Sequence, residues 1–403
     1  MKPQRTHRLF LTLLLLLPLL LAPSSRSQQP PAPRVVDLTA SDGMKLKATY
    51  FAAAKPAPGV LLLHQCNRQR KVWDDLAARL AASGLNVLTV DYRGFGESGG
   101  TPLDKLTNAE RANFVSEKLP LDVETAFQYL SAQSGVTHGI IGVGGASCGV
   151  NQSVQVARRH PEVKSLVLLS GDTNPDGRQF LRNSPNLPIF ISAADDDANG
   201  LVVEFMQWLF SLSPDPADKF QHYANGGHGV EMFAAHEELP GMIVEWFGTT
   251  LRPGSSAASS KSAASQSREA KPRQPNILEL IDQPGGAAKV AKQLAEARQH
   301  DPQAKLFSEA IVNQLGYEHI QSGDTKGAIE ILKLNVTAFP ISANAYDSLS
   351  DAYLADGQKD VALLNAKKAL ELLPADKTLS DAFRDGLKAN IEQKLKQLSG
   401  TPQ

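Results

Sequence analysis

The stretch GVGGASCGVNQS, residues 142–153, begins at the end of the apolar run HGIIGV, with which it shares Gly142 and Val143, and sets two possible nucleophiles side by side, Ser147 and Cys148. A nucleophile on a sharp strand-to-helix turn needs small residues two positions before and two positions after it, because the neighbouring backbone crowds it. Both positions are glycine around Ser147, whereas the branched Val150 stands two residues after Cys148. The pattern predicts Ser147 as the nucleophile; the alternative is a glycine-rich turn with a capping serine.

The chain around this turn alternates short apolar runs with segments of helical periodicity. The apolar runs have the composition of buried strands, and they are GVLLLH, LNVLTV, HGIIGV, KSLVLLS and LPIFISA. Such alternation is typical of an α/β fold with a doubly wound, mostly parallel sheet. The two preceding segments, RVVDLTA and KLKATYF, are joined by Ser41-Asp42-Gly43 and predict an antiparallel hairpin at the sheet edge.

A serine nucleophile needs a base and an orienting acid, which in this fold follow it in the order acid, then histidine. The run LPIFISAADDD ends in three carboxylates, Asp195, Asp196 and Asp197. Counting from the strand end selects Asp196 as the acid, with Asp195 and Asp197 as alternatives. His228 lies between glycines after a strand-like run and is the predicted base, whereas His222 lies inside that strand and is expected to be structural.

The oxyanion of the reaction needs two backbone N–H donors. One is predicted to be that of Cys148, directly after the nucleophile, and the other that of Cys66, two residues beyond His64 in the loop after GVLLLH. These are the only two cysteines of the chain. Two small buried thiols are the expected state; a disulfide is the alternative, because the two donors must lie close together.

On these motifs, residues 34–252 resemble the α/β-hydrolases, and most closely their dienelactone hydrolase-like branch. The segment DYRGFGES matches the family pattern D-x-R-G-x-G-x-S, which implies that Asp91 and Arg93 shape a turn. Ser147 stands where dienelactone hydrolases carry cysteine, and Gln65 where they carry glutamate. The resemblance implies a serine hydrolase that acts on a small-molecule carboxylic ester or lactone and needs no metal or organic cofactor.

The segment between KSLVLLS and LPIFISA is too short for a helical lid, so an open site is expected. Arg68, Arg70 and Lys71 follow the oxyanion loop. We expect them to form a solvated helix start, although they could also attract a substrate that carries a carboxylate.

The N-terminus has the pattern of a secretory signal. Basic residues precede the apolar run LFLTLLLLLPLLLA, and small residues follow it, which predicts cleavage before Gln28 and a secreted or periplasmic protein. The alternative is a retained membrane anchor, but a span needs about 20 apolar residues.

Residues 253–275 lack any apolar period and predict a flexible linker between two autonomous units. Residues 276–400 are predicted to be helical and repeat at a 34-residue interval. The recurring pairs are Leu315/Leu349, Gly316/Ser350, Gly323/Gly357, Ala328/Ala362 and Pro340/Pro374. These positions resemble tetratricopeptide repeats, with small residues at helix crossings, and the flanking helices are expected to cap the stack.

With 41 basic and 42 acidic residues, the formal net charge of −1 gives no reason to expect nucleic acid as a partner. Two alternatives to an esterase remain at this point. One is a peptidase or amidase with the same machinery. The other is a repeat protein that binds a protein or peptide partner and carries a vestigial hydrolase.

Overall fold

The computed structural model describes residues 30–252, 276–377 and 379–400. The predicted signal peptide (residues 1–27) and the predicted linker (residues 253–275) lie outside them. Within the described ranges, no helix is both long enough and apolar enough to cross a membrane. Residues 34–252 are called the sheet domain below, and residues 276–400 the helical domain.

One eight-stranded sheet organises the sheet domain, with strand order β1-β2-β4-β3-β5-β6-β7-β8. The strands are β1 Arg34–Thr39, β2 Lys45–Phe51, β3 Ala57–Leu63, β4 Asn86–Val90, β5 Val136–Ala146, β6 Val163–Leu169, β7 Ile189–Ala194 and β8 Lys219–Tyr223. Strand β2 pairs antiparallel with β1 and β4, and all other pairs are parallel. The predicted hairpin and mostly parallel sheet are confirmed.

Helices cover both faces of this sheet. They are α1 Asp74–Ala82, α2 Asn108–Asn113, α3 Leu119–Ser131, α4 Cys148–Arg159, α5 Pro175–Arg182, α6 Leu201–Leu212, α7 Met232–Ala235 and α8 Glu238–Thr250. Successive side chains of β3 go to opposite sides: Leu61 and Leu63 join one apolar cluster, Val60 and Leu62 the other. Burial on both faces explains why these strands are continuous apolar runs in the sequence.

The helical domain is built from antiparallel helix pairs. Its helices are α9 Ile277–Ile281, α10 Gly286–His300, α11 Glu309–Ser322, α12 Thr325–Ala338, α13 Ala343–Ala355, α14 Lys359–Leu372 and α15 Asp381–Leu398. The α11–α12 pair and the α13–α14 pair begin 34 residues apart, at Glu309 and Ala343. Gly323 and Gly357 follow the first helix of each pair with φ of 83° and 79°, a left-handed conformation that glycine adopts without strain.

The two domains share one apolar core. Met206 and Leu209 of α6 belong to the same buried cluster as Leu278 and Ile281 of α9. Polar contacts border this cluster, and Glu279 takes part in two of them: its carboxylate accepts hydrogen bonds from Arg182 Nε at 2.8 Å and Trp208 Nε1 at 3.0 Å. The expectation of two separate units is therefore wrong. The linker composition indicated a spacer, but the helices beyond it carry apolar faces that pack back onto the sheet domain.

This shared core predicts that the two domains unfold together. All three tryptophans of the chain lie in the sheet domain; Trp208 also contacts Glu279 of α9, so their fluorescence follows the unfolding of the sheet domain together with the loss of this contact. Ile281→Ala, a change in the helical domain at a side chain that is 1% exposed, should lower the unfolding free energy measured by tryptophan fluorescence in urea by roughly 2–5 kcal/mol.

Leu364→Ala is the matched control, because Leu364 is also in the helical domain but is 68% exposed. It should leave the tryptophan transition in place. An unchanged transition for Ile281→Ala would contradict the shared core.

Candidate active site

Ser147 lies on a sharp turn between β5 and α4. Its φ of 54° and ψ of −120° are unusual for a residue with a side chain. Its backbone N–H donates to Leu169 O at 2.9 Å, which ties the turn to β6. A Cβ at Gly149 would overlap the carbonyl of Leu63, and one at Gly145 would overlap that of Gly149. No side chain fits at Gly145 or Gly149, as the sequence pattern predicts.

His228 is held by Asp197. The two carboxylate oxygens of Asp197 lie 2.8 and 3.0 Å from His228 Nδ1, and the Asp197 side chain is only 6% exposed. Hydrogen bonding to Asp197 raises the pKa of His228 above its usual value, while partial burial opposes the rise. The pair leaves Nε2 of the ring available for proton transfer.

The prediction of Asp196 as the acid is wrong. Asp196 is at the surface, where its carboxylate accepts hydrogen bonds from the backbone N–H groups of Gly226 and Gly227 at 3.1 and 3.0 Å. These bonds lower the pKa of the carboxyl group. Asp195 faces His222 Nε2 at 2.7 Å on the exposed side of β8.

The carboxylate that meets His228 is that of Asp197, which follows a turn formed by Asp195 and Asp196 directly after β7. Ala198 and Asn199 have left-handed φ values of 47° and 55°, and Gly200 follows with 85°. Asn tolerates this conformation better than most residues, and Gly adopts it freely. Sequence spacing alone gave no signal for a turn of this shape, although Asn199-Gly200 is a turn dipeptide.

The side chain of Gln65 binds the loop that carries His228, next to the turn at Ser147. The Gln65 side chain is fully buried, and its Oε1 accepts from Val230 N at 3.0 Å. A Cβ placed on Gly229 would lie 3.2 Å from Cβ of Ala146, the residue before Ser147. The loop that carries His228 therefore packs against the loop that carries Ser147. Sequence reasoning noted Gln65 only as a departure from the family and missed this role.

Cys66 and Cys148 are joined by a disulfide, with their Cα atoms 5.9 Å apart. The expectation of two free thiols is therefore wrong. The loop after β3 instead directs Cys66 toward the first residue of α4. Both cysteines are half-buried.

Arg70 is buried rather than solvated, which corrects the expectation for the residues after the oxyanion loop. Its guanidinium forms an ion pair with Asp91 and a second one with Glu97 at 2.8 Å. The neighbouring Arg93 donates to Asp122 at 2.6 Å and to Asp42 at 2.7 Å. Each buried charge thus has a partner, as burial requires. The structural assignment of Asp91 and Arg93 agrees with these contacts.

The helical domain reaches the loop that follows β6. A Cβ on Gly171 would come within 2.6 Å of Ser147 O, so this loop lies directly against the turn. Next to it, Asp172 accepts a hydrogen bond from Gln314 Nε2 of α11 at 3.1 Å. Burial raises the pKa of Asp172 to about 6, against the opposing charge of Arg178.

In the described part of the chain, no group of three or more His, Cys, Asp or Glu side chains is arranged to hold a metal ion. The structure brings together a half-buried serine on a sharp turn and a histidine held by a buried carboxylate, on two loops that pack against each other.

Residues 58–211 match the family described as alpha/beta hydrolase fold. The sheet domain has an α/β-hydrolase fold. An uncharacterized protein of Mycobacterium tuberculosis is 33% identical over 152 residues, which cover 37% of this chain and 50% of that protein. The chain thus matches only about half the length of this curated relative.

Solved structures with similar folds include an esterase of Pyrococcus furiosus, which is 20% identical, with a TM-score of 0.45; the likeness covers 55% of this chain and 93% of that one. A dienelactone hydrolase from Anabaena variabilis is also 20% identical, with a TM-score of 0.43, and covers 56% of this chain and 100% of its own.

The Asp197–His228 contact predicts a specific titration. In Asp197→Asn the pKa of His228, followed by NMR of its ring protons, should fall. The substitution removes the carboxylate whose hydrogen bond is the largest cause of the raised pKa. In Asp196→Asn, the matched change one residue earlier, it should keep its elevated value. The reverse pattern would restore Asp196 as the acid.

Proposed function

We propose that the α/β-hydrolase domain is a serine hydrolase that cleaves small-molecule carboxylic esters or lactones. The observation that carries this proposal is the buried Asp197 carboxylate on His228 Nδ1, in a loop packed against the strained turn at Ser147. Buried carboxylate–imidazole pairs next to a strained serine have the geometry of acyl transfer.

In the proposed mechanism, Ser147 Oγ attacks the ester carbonyl while His228 Nε2 takes its proton. Asp197 holds the imidazole in the required tautomer and stabilises the imidazolium. The backbone N–H groups of Cys66 and Cys148 accommodate the negative charge on the carbonyl oxygen. The imidazolium then protonates the departing alkoxide, and water, activated by the same histidine, releases the acyl group from Ser147.

The pH dependence follows from the direction of the pKa shift. His228 accepts a proton only when it is neutral, so turnover should be lost as the pH falls through its raised pKa. The rate should therefore rise with pH to an inflection above the ordinary histidine value of about 6.5.

Ser147→Ala should reduce the hydrolysis of p-nitrophenyl acetate by a factor on the order of 10³ or more, because only oxyanion stabilisation and binding remain. It should also abolish labelling by a fluorophosphonate, which mass spectrometry of the wild-type protein should locate on the peptide that contains Ser147.

Ser131→Ala, at the exposed end of α3, is the control and should leave both readouts unchanged. Labelling that persists in Ser147→Ala would refute the proposal. A fluorophosphonate-reactive protein that hydrolyses aminoacyl amides much faster than esters would instead be a peptidase with the same machinery.

We also propose that the chain is exported. The N-terminal pattern of basic, apolar and small residues supports it. The Cys66–Cys148 disulfide adds an independent argument, because disulfides persist outside the cytosol.

Expressed in a secreting bacterial host, the mature protein should therefore begin close to Gln28, as measured by intact mass. An Arg8→Glu change in the charged start should slow this cleavage, because the signal depends on a basic segment before the apolar run. A full-length protein that still carries residues 1–27 in the membrane fraction would favour the anchor.

For the helical domain we propose tetratricopeptide-like repeats that can bind a protein or peptide partner. The 34-residue recurrence of α11–α12 in α13–α14 supports this. So does the packing at the helix crossings. A Cβ on Gly316 would lie only 2.5 Å from Leu332, and the equivalent Ser350 donates to Ala362 O at 2.8 Å.

A further inference from the structure

The disulfide joins the two loops that carry the proposed oxyanion donors. Cys66 lies three residues beyond the end of β3, and Cys148 is the first residue of α4. The bond closes a loop across a sequence separation of 82 residues. These are the only cysteines of the chain, so the one covalent cross-link lies at the reacting centre.

Both donor groups are free to bind an anion. The first N–H groups of a helix have no intrahelical acceptor, and Cys148 occupies the first position of α4. Among the described residues, no acceptor is found for the backbone N–H of Cys148 or for that of Cys66. Each N–H is one bond from the Cα whose side chain forms the disulfide, so the cross-link constrains the distance between the two donors.

Other contacts fix only the neighbours of Cys66. Gln65 is held through Val230, and Arg68 N donates back to Gln65 O at 3.0 Å. Gly149 lies against the carbonyl groups of Leu63 and His64, so α4 contacts the strand end and the first residue of the loop, but these contacts stop two residues before Cys66. The disulfide is therefore the direct link between the Cys66 peptide and α4.

We propose that the Cys66–Cys148 disulfide is a positioning element of the oxyanion hole, so that its reduction lowers turnover while the fold persists. This rests on the proposed serine hydrolase function. An oxyanion hole acts by preorganisation, so a donor that moves out of place loses most of its effect.

The redox step is an exchange with a dithiol. One S–S bond breaks, two S–H groups form on Cys66 and Cys148, and the dithiol supplies two electrons and two protons and leaves as its own cyclic disulfide. Both cysteines are half-buried, so a small dithiol has access to them.

The experiment compares oxidised and dithiothreitol-reduced full-length protein, assayed well below the unfolding temperature of the reduced form. Losing an oxyanion donor costs on the order of 10²–10³ in kcat, so a displaced one should cost roughly 10- to 100-fold. The KM for p-nitrophenyl acetate should change little. The inhibition constant of a trifluoromethyl ketone, whose tetrahedral adduct carries the oxyanion, should rise by the same factor as kcat falls.

Reoxidation should restore activity, and the double variant Cys66→Ala/Cys148→Ala should be as slow as the reduced protein and insensitive to dithiothreitol. Reduced protein with unchanged kcat and ketone affinity but a lower Tm would overturn the proposal, since the disulfide would then stabilise the fold without positioning the oxyanion donors. Loss of the folded tryptophan signal along with activity would overturn it as well. Fluorophosphonate labelling of Ser147 in the oxidised protein separates these outcomes from a failure of the proposed function.

Discussion

The contact between the start of α4 and the end of β3 is the constraint on which this site depends. At Gly149 the helix lies so close to the carbonyl of Leu63 that no side chain fits between them. Because the helix begins there, the turn before it must be abrupt, and Ser147 takes up a positive φ that costs free energy. The same closeness brings Cys148 within disulfide distance of Cys66. The sharp turn, the backbone conformation of Ser147 and the cross-link thus share one steric cause.

Asp195, Asp196 and Asp197 are three consecutive carboxylates with the same chemistry but different surroundings. Asp195 meets a histidine at the surface, where solvent and salt weaken the attraction. Asp196 caps backbone N–H groups. Asp197 alone is withdrawn from water, so its interaction with His228 is the one least screened. Burial, rather than residue type, distinguishes the carboxylate that holds His228.

The sequence predicted the features that depend on the spacing of apolar residues and on local steric limits. Apolar runs located the strands, and the glycines around Ser147 identified the turn. It could not separate Asp196 from Asp197, because which carboxylate faces His228 depends on the shape of the turn from Asp195 to Gly200 rather than on spacing. Arg70 was misjudged for a related reason. A basic residue after a loop is usually solvated, and only the fold brings Asp91 to it from the next strand.

The sequence also predicted two autonomous domains, whereas the structure packs them together. This packing affects how the loops around Ser147 are held. Catalysis by fixed dipoles requires that the loops at the carboxyl ends of the strands do not move apart. The loop after β3 is tied by the disulfide, and the histidine loop by Gln65. The loop after β6, which touches Ser147 through Gly171, is held by Gln314 of the helical domain. A stretch of low-complexity sequence separates the domains along the chain, yet packing makes the helical domain part of the scaffold around the turn at Ser147.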